Sequence, residues 1–283
     1  MAGEPRLPDP KREIDEPSHA LACDAEWIEQ QALIDWLAAS SHGPIEPVVE
    51  RLPGVTLIAA RGVDSLLANR VFVDPSAPRA LASLRKLLAR RGARHVLVQV
   101  PRRHAALFDE SAMQHAGLVR YRRSWIKLAR LSAAVAEQPE AMPIDLCGLD
   151  DADAFAQLLT RNFGAAPELA QRLASLVQRP RWYVFVARAG NQVAAAAALF
   201  VQGEIGHLGF AATAPEYRGH GLQRALIARR LRLGQALGCR LLVSETGLPI
   251  ADEPNPSLHN LLTLGLRAVE TRDNYVLPGT TWR

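Results

Sequence analysis

Cysteine is scarce in these 283 residues and unpatterned: Cys23, Cys147 and Cys239 are odd in number and form no C-x-x-C pair. That excludes a disulfide framework or a cysteine zinc site and points to a reducing compartment. No run of about 18 apolar residues exists, so no segment is expected to span a membrane. The opening stretch, MAGEPRLPDPKREIDEP, is charged and proline-rich and lacks the apolar core of a signal peptide. Aromatics are only 6% of the chain, and no basic run is interleaved with them as a stacking groove for nucleic acid requires. These absences lead to the expectation of a cytoplasmic protein that engages neither membrane nor nucleic acid and holds no metal. The net charge of +4 suits an acidic ligand without identifying one.

What is present is apolar material, 48% of the chain, in a length that allows two domains with their own cores. Residues 1–20 read as a flexible tail, because their prolines and alternating charges offer no face to bury. Asp24–Ala39 has helical spacing with Asp24 as its N-cap. Gly54–Ala60 and Ser65–Asp74 read as strands, Pro78–Arg91 as a basic helix ended by Gly92, and His95–Val100 as a short buried strand. Ala105–Ala116 reads as a helix and Leu118–Leu128 as alternating strand. Ala133–Pro143 is the best linker candidate.

The second half repeats the pattern. Helices are expected over Asp150–Phe163 and Pro167–Val177, then strands over Arg181–Ala189, Val193–Val201 and Glu204–Thr213. The alanine run Ala194–Ala198 has helical propensity, yet Gly190-Asn191 and Gln202-Gly203 bracket it as hairpin turns would, which favours a strand. Leu222–Leu237 reads as a helix, Arg240–Glu245 as a strand, Asn255–Leu264 as a short helix, and Arg267–Arg272 and Asn274–Leu277 as closing strands. The parallel succession of elements predicts a duplicated α/β unit. The expected organisation is a tail at 1–20, a first unit at 21–132, a linker at 133–143 and a second unit at 144–283.

One stretch is not duplicated. Phe210–Arg230, FAATAPEYRGHGLQRALIARR, reads as a strand end, a turn at Arg218-Gly219-His220-Gly221, and a basic helix starting near Leu222. The two glycines permit φ > 0 and a close backbone approach, and the helix start adds unpaired N–H groups. Together they suit a phosphate or pyrophosphate, although a turn that simply needs glycines has the same spelling. At the corresponding place the first half has Val73-Asp74-Pro75-Ser76-Ala77-Pro78, with no glycine and two prolines that delete donors. One binding turn per chain is therefore expected.

ATAPEYRGHGLQRALIARRL resembles the acetyl-CoA-binding motif of the GNAT superfamily of N-acetyltransferases, R/Q-x-x-G-x-G/A. Arg218 fills the first position and Gly221 the fourth, while Gln223 stands where Gly or Ala is usual. SETGLPIADEPNPSLHNLLTLGLRAVETRDNYV resembles the closing part of GNAT proteins. The resemblance covers residues 142–283 directly and the first half by architecture, as in tandem proteins whose N-terminal unit is degenerate. It implies a mixed, mostly antiparallel sheet in each unit, flanked by helices and splayed to admit a cofactor arm. It further implies that Ala211, Ala212 and Thr213 offer backbone groups to that arm and that Arg218, Gly219, His220, Gly221, Leu222 and Gln223 hold the pyrophosphate. Asn260 would face the thioester.

The implied reaction is acetyl transfer from acetyl-CoA to an amine acceptor, small molecule or protein, by a monomer or homodimer. Such transfer needs a neutral nucleophile, an oxyanion donor and a base. Glu245 is the candidate base, since it follows a short buried strand at the expected splay; a carboxylate capping the Thr246-Gly247 bend is the competing reading. Family members often carry a tyrosine where this chain has Leu261. Solvent can protonate the thiolate instead, so neither Tyr275 nor His259 is required in its place. His207 and His220 read as structural and solvent-facing. Arg224, Arg229 and Arg230 read as either charge for phosphates or a solvated helix face. Trp182 and Tyr183 read as core or as acceptor-pocket walls. The alternative function is a non-catalytic acyl-CoA sensor or partner-binding module, which would bind the donor without releasing coenzyme A.

Overall fold

A computed structural model describes residues 16–39, 45–91, 95–251 and 253–280. The first half contains α1 (Glu16–Leu37), β1 (Glu46–Leu52), β2 (Val55–Arg61), β3 (Arg70–Val73), α2 (Ala80–Arg91), β4 (Leu97–Pro101), α3 (Glu110–His115), β5 (Val119–Arg120) and β6 (Trp125–Leu131). The second contains β7 (Ile144–Leu146), α4 (Ala152–Phe163), α5 (Ala170–Ala174), β8 (Trp182–Ala189), β9 (Gln192–Gln202) and β10 (Ile205–Thr213). It continues with α6 (Leu222–Ala236), β11 (Leu241–Gly247), α7 (Pro256–Thr263) and β12 (Arg267–Val276).

All twelve strands among the described residues join one sheet in the order β1-β2-β3-β4-β12-β6-β11-β10-β9-β8-β7, with β5 paired to β12. The sheet is mixed and mostly antiparallel. Its two parallel pairs, β3–β4 and β10–β11, occupy matching places in the two halves. The last strands are exchanged: β6 of the first half pairs with β11 of the second, and β12 of the second pairs with β4 of the first. Helix α1 packs against β2, β6, β10 and β12, strands drawn from both halves. It buries Ala25, Ile28, Ala32 and Trp36 at three- and four-residue spacing.

The alanine run is the strand that the turns predicted. In β9 it lies between β8 and β10, and Ala194–Ala198 are fully buried. Ala196 and Ala198 face the cluster containing Phe155 of α4, while Ala195 and Ala197 face Leu222 and Leu226 of α6. Small side chains let two helices close on one strand from opposite faces, and that packing outweighs helix propensity.

Elsewhere the elements differ from expectation. Helix α1 begins at Glu16, so Asp24 is no cap; it lies inside the helix, 2.8 Å from Arg240. The tail expected at 1–20 thus loses residues 16–20 to α1, and the rest of it lies outside the described residues, as does the helix stop at Gly92. Strand β1 has no counterpart among the expected strands because it is an edge strand without a fully buried face. Ser65–Asp74 is strand only from Arg70. Before that, Asn69 donates to the Val63 carbonyl at 2.7 Å and accepts from the Ala60 amide at 2.8 Å, and these local bonds hold a turn. Leu118–Leu128 breaks into β5 and β6, Pro167–Val177 shortens to α5, and the two closing strands merge into β12, whose pairing with β6 shifts register between Ala268 and Glu270. The helix expected over Ala105–Ala116 divides into a 3-10 turn and α3.

Candidate active site

Strands β10 and β11 form a ladder only from Ile205/Leu241 to Leu208/Ser244, although both continue further. At the point of parting, β10 bulges between Gly209 and Ala212, and Phe210 takes φ +45°. A phenylalanine in the left-handed region is costly and persists where its surroundings fix it. Here Trp36 and Trp182 hold the ring at centroid distances of 4.9 and 5.8 Å. Arg230, wholly buried, donates to the carbonyls of Ala198 and Gly209 at 3.2 and 3.3 Å and so ties the bulge to α6. Burial alone pulls its guanidinium down to about 9. Arg230 therefore serves neither a solvated face nor a phosphate, whereas Arg229 is paired with Glu140 at the surface, at 2.6 Å.

On one side of the parting lies a cavity of about 940 Å³. Ala211, Ala212, Thr213, Arg218, Gly219, His220, Gly221, Leu222, Gln223 and Asn260 all line it. Gly219 and Gly221 have φ +81° and +74°, and a Cβ on either would meet nothing within 4 Å, so the turn is an open cradle. No side chain caps α6, which leaves the N–H groups of its first turn to an incoming anion. The cradle has the free space and the donors that a phosphate or pyrophosphate needs. Gln223, in the position where Gly or Ala is usual, accepts a hydrogen bond from Asn260 Nδ2 at 2.8 Å and links α6 to α7 across the cavity wall.

On the other side lies a second cavity, of about 550 Å³, lined from both halves. Asn162 and Asn255 border both cavities. Asn255 caps α7 by accepting from the Ser257 amide, and it donates to Thr246 Oγ1 and the Gly247 carbonyl. Glu245 lies within β11, opposite Lys127 of β6, and points into this second cavity; it does not cap a bend, since β11 runs on to Gly247. Arg70, Arg272 and Lys127 lie 3.2, 3.3 and 3.8 Å from its carboxylate. Beside it, Glu29 of α1 pairs with Arg70 and Lys127, and Glu26 with Arg272.

Burial drives the charges of this cluster apart. It pushes the Glu245 carboxyl up to about 8, helped by the Glu29 carboxylate and opposed by Lys127 and Arg70. Burial also raises Glu26, to about 7. Glu29 meets the same burial but is overcome by Lys127 and Arg70, which take it to about 2. His207, one strand over, is lowered by burial to about 4 and is a neutral imidazole at ordinary pH. His207 lines the cavity beside Glu245, although the sequence reading left it structural. Its signal was parity: His207 pairs with Val243, and Glu245 is two residues further on the same face. Glu29, Arg70, Tyr121 and Trp125 were also missed, because nothing in their local sequence places them beside a strand of the other half. Trp182 is core, donating to Asp35 at 2.8 Å. Leu261 is buried among leucines, His259 is exposed, and Tyr275 packs in the core of the first half. Among the described residues no cluster of side chains could hold a metal, and no helix is long and apolar enough to cross a membrane.

The parting parallel strands and the glycine cradle at their mouth both lie within a stretch that matches a known family. Residues 152–259 match the Acetyltransferase (GNAT) family, so the second half carries a domain of that family. Solved structures similar to the whole chain include a GCN5-related N-acetyltransferase from Kribbella flavida, at 14% identity and TM-score 0.63, covering 95% of this chain and 98% of that one. Another, from Sphaerobacter thermophilus, has 15% identity and TM-score 0.58, with 97% and 98% covered. A tandem GNAT protein from the clavulanic acid biosynthesis pathway has 15% identity and TM-score 0.55, with 94% and 97% covered. No curated protein gives a significant match. At these identities the likeness carries the fold and leaves the acceptor to the site itself.

Proposed function

We propose that the protein is an acetyl-CoA-dependent N-acetyltransferase that transfers the acetyl group directly to a primary amine. One observation carries this reading: the β10–β11 ladder opens past Leu208 with the glycine cradle on one side and Glu245 on the other. Acetyl-CoA supplies an activated thioester. The backbone of Ala211–Thr213 holds the donor's arm, the turn Arg218–Gln223 its pyrophosphate, and Asn260 borders the arm from α7. The amine enters through the second cavity. Glu245 accepts its proton, and a base whose pKa is near 8 is well matched to a task done near neutral pH. Backbone N–H groups of β10 where the two strands part serve as the donors that polarise the acyl oxygen. Leu261 offers no acid, so solvent supplies the proton for the leaving sulfur.

The test is coenzyme A release against a broad amine panel, with acetyl-CoA binding measured in parallel. Glu245→Gln should lower kcat by about 100-fold or more while leaving donor affinity unchanged. Tight donor binding with no release for any amine, and no effect of Glu245→Gln, would overturn the enzyme reading in favour of an acyl-CoA sensor.

A further inference from the structure

The second cavity has a chemical bias that its place beside the donor slot does not require. Its volume of about 550 Å³ suits a small molecule. One wall is apolar, formed by Leu33 and Leu67 with Phe163 and Phe210. The other is cationic. At the rim Arg122 and Arg123 share a single carboxylate, Glu253, each at 2.5 Å. Deeper, Arg70, Lys127 and Arg272 face Glu26, Glu29 and Glu245, with Arg103 and Glu270 paired behind them. Among the residues that line the cavity, three arginines, Arg70, Arg122 and Arg123, face two carboxylates, Glu29 and Glu245, so the lining carries surplus positive charge.

Arg70 is the specific feature. Its Nη1 is shared between Glu29 and Glu245, and its guanidinium lies 4.8 Å over the Trp125 ring, which fixes its plane. Its Nε–H is buried and has no acceptor among the described residues. An unpaired buried donor is costly, and an arriving carboxylate would supply the missing partner in the geometry guanidinium favours. A cationic acceptor such as a polyamine would instead meet surplus charge of its own sign.

Building on the acetyl-transfer reading, we propose that the acceptor is a small amino carboxylate with an apolar side chain. Its carboxylate lies on Arg70, its side chain lies on the Leu33–Leu67–Phe163 wall, and its amine is presented to Glu245. Transfer then forms the N–C bond of the N-acetyl amino carboxylate, breaks the C–S bond of the thioester, and sends the amine proton to Glu245.

Two measurements on the full-length protein test this and separate it from the acetyl-transfer reading. The first is calorimetric binding, with coenzyme A present, of N-acetyl-leucine, N-acetyl-phenylalanine and N-acetyl-tryptophan, each against its carboxamide. At least one acid should bind about tenfold or more tightly than its amide; equal affinities, or no binding by any of the three acids, would overturn the proposal. The second is coenzyme A release with the free amino acids, their amides, phenethylamine and spermidine. Amino acids should lead in kcat/KM. A lead by phenethylamine or spermidine overturns the acceptor proposal and leaves acetyl transfer standing. Carboxylate-selective binding with no release from any amine sustains the pocket assignment and overturns acetyl transfer. Arg70→Gln should erase the acid-over-amide preference through KM, with Arg70→Lys restoring part of it; the wild-type comparison decides even where the variants fold poorly.

Discussion

The two strand-to-helix turns that follow the parallel pairs sit at matching places and do opposite things. At Arg218–Gln223 two left-handed glycines leave open space. At Asp74–Pro78 the Asp74 carboxylate accepts from the Ser76 amide at 3.0 Å, so the turn's donor is satisfied from within and carries a negative charge. The start of α2 is also packed down on the β1–β2 hairpin. A Cβ added at Gly54 would fall 2.6 and 2.7 Å from the Cβ atoms of Ala77 and Ala80. The first half has thus filled the place where the second is hollow. What it keeps is a supporting role: Glu29, Arg70, Trp125 and Lys127 all come from the first half to the second cavity or the ion cluster behind it.

That contrast can be broken in several ways. The largest effect should come from Lys127→Met, which removes one member of a buried ion cluster and strands its partners at a cost of about 3–5 kcal/mol. Because β6 and β12 are exchanged, urea unfolding of this variant should remain a single cooperative transition, shifted to lower midpoint. Two separate transitions would mean that the halves are independent after all. Next is Gly221→Val, which puts a branched side chain at φ +74° in the cradle. Acetyl-CoA affinity should fall by about 100-fold or more in calorimetry with the fold retained; unchanged affinity would remove the cradle from the binding site.

The acid limb of kcat/KM is a subtler probe. Glu245 has its pKa raised to about 8, so activity should climb as pH rises toward that value, and Glu245→Gln should flatten the limb. Stability should show the opposite sign. The native state keeps a proton on Glu245 that the unfolded chain releases above 4.5, so this contribution is complete below 4.5 and is lost as pH rises through about 8. Glu29, lowered to about 2, contributes above 4.5 and loses that contribution as pH falls through 2. Thermal melts across pH should therefore peak between these limits. The smallest effect sharpens the comparison by its absence: Asp74→Asn should change donor affinity less than about twofold, and binding should saturate at one equivalent per chain. A second equivalent would contradict the filled turn.

The cradle was legible in the sequence because glycines at positive φ leave a residue-level trace, and β9 because its bracketing turns outweigh its alanines. Strand β1 left no trace, since its half-buried side carries Glu50 between Val48 and Leu52 and so shows no alternation of polarity. The exchange of β6 and β12 was invisible for a different reason. Spacing reports what a strand buries and not which neighbour it pairs with. Arg70 and Glu245 are 175 residues apart and meet only through that topology, so the second cavity is a product of the exchange.

The exchanged strands also constrain how this chain can be divided. A cut anywhere in the stretch between Leu131 and Ile144 would sever no strand, yet it would leave β4 and β11 each facing a bare edge where the other piece's last strand belongs. Bare edges seek partners. Two such fragments made together have complementary gaps and can close on each other, whereas either alone would stack with its own kind. The second cavity follows the same geometry: each half supplies part of its lining, so neither can be removed with that cavity intact.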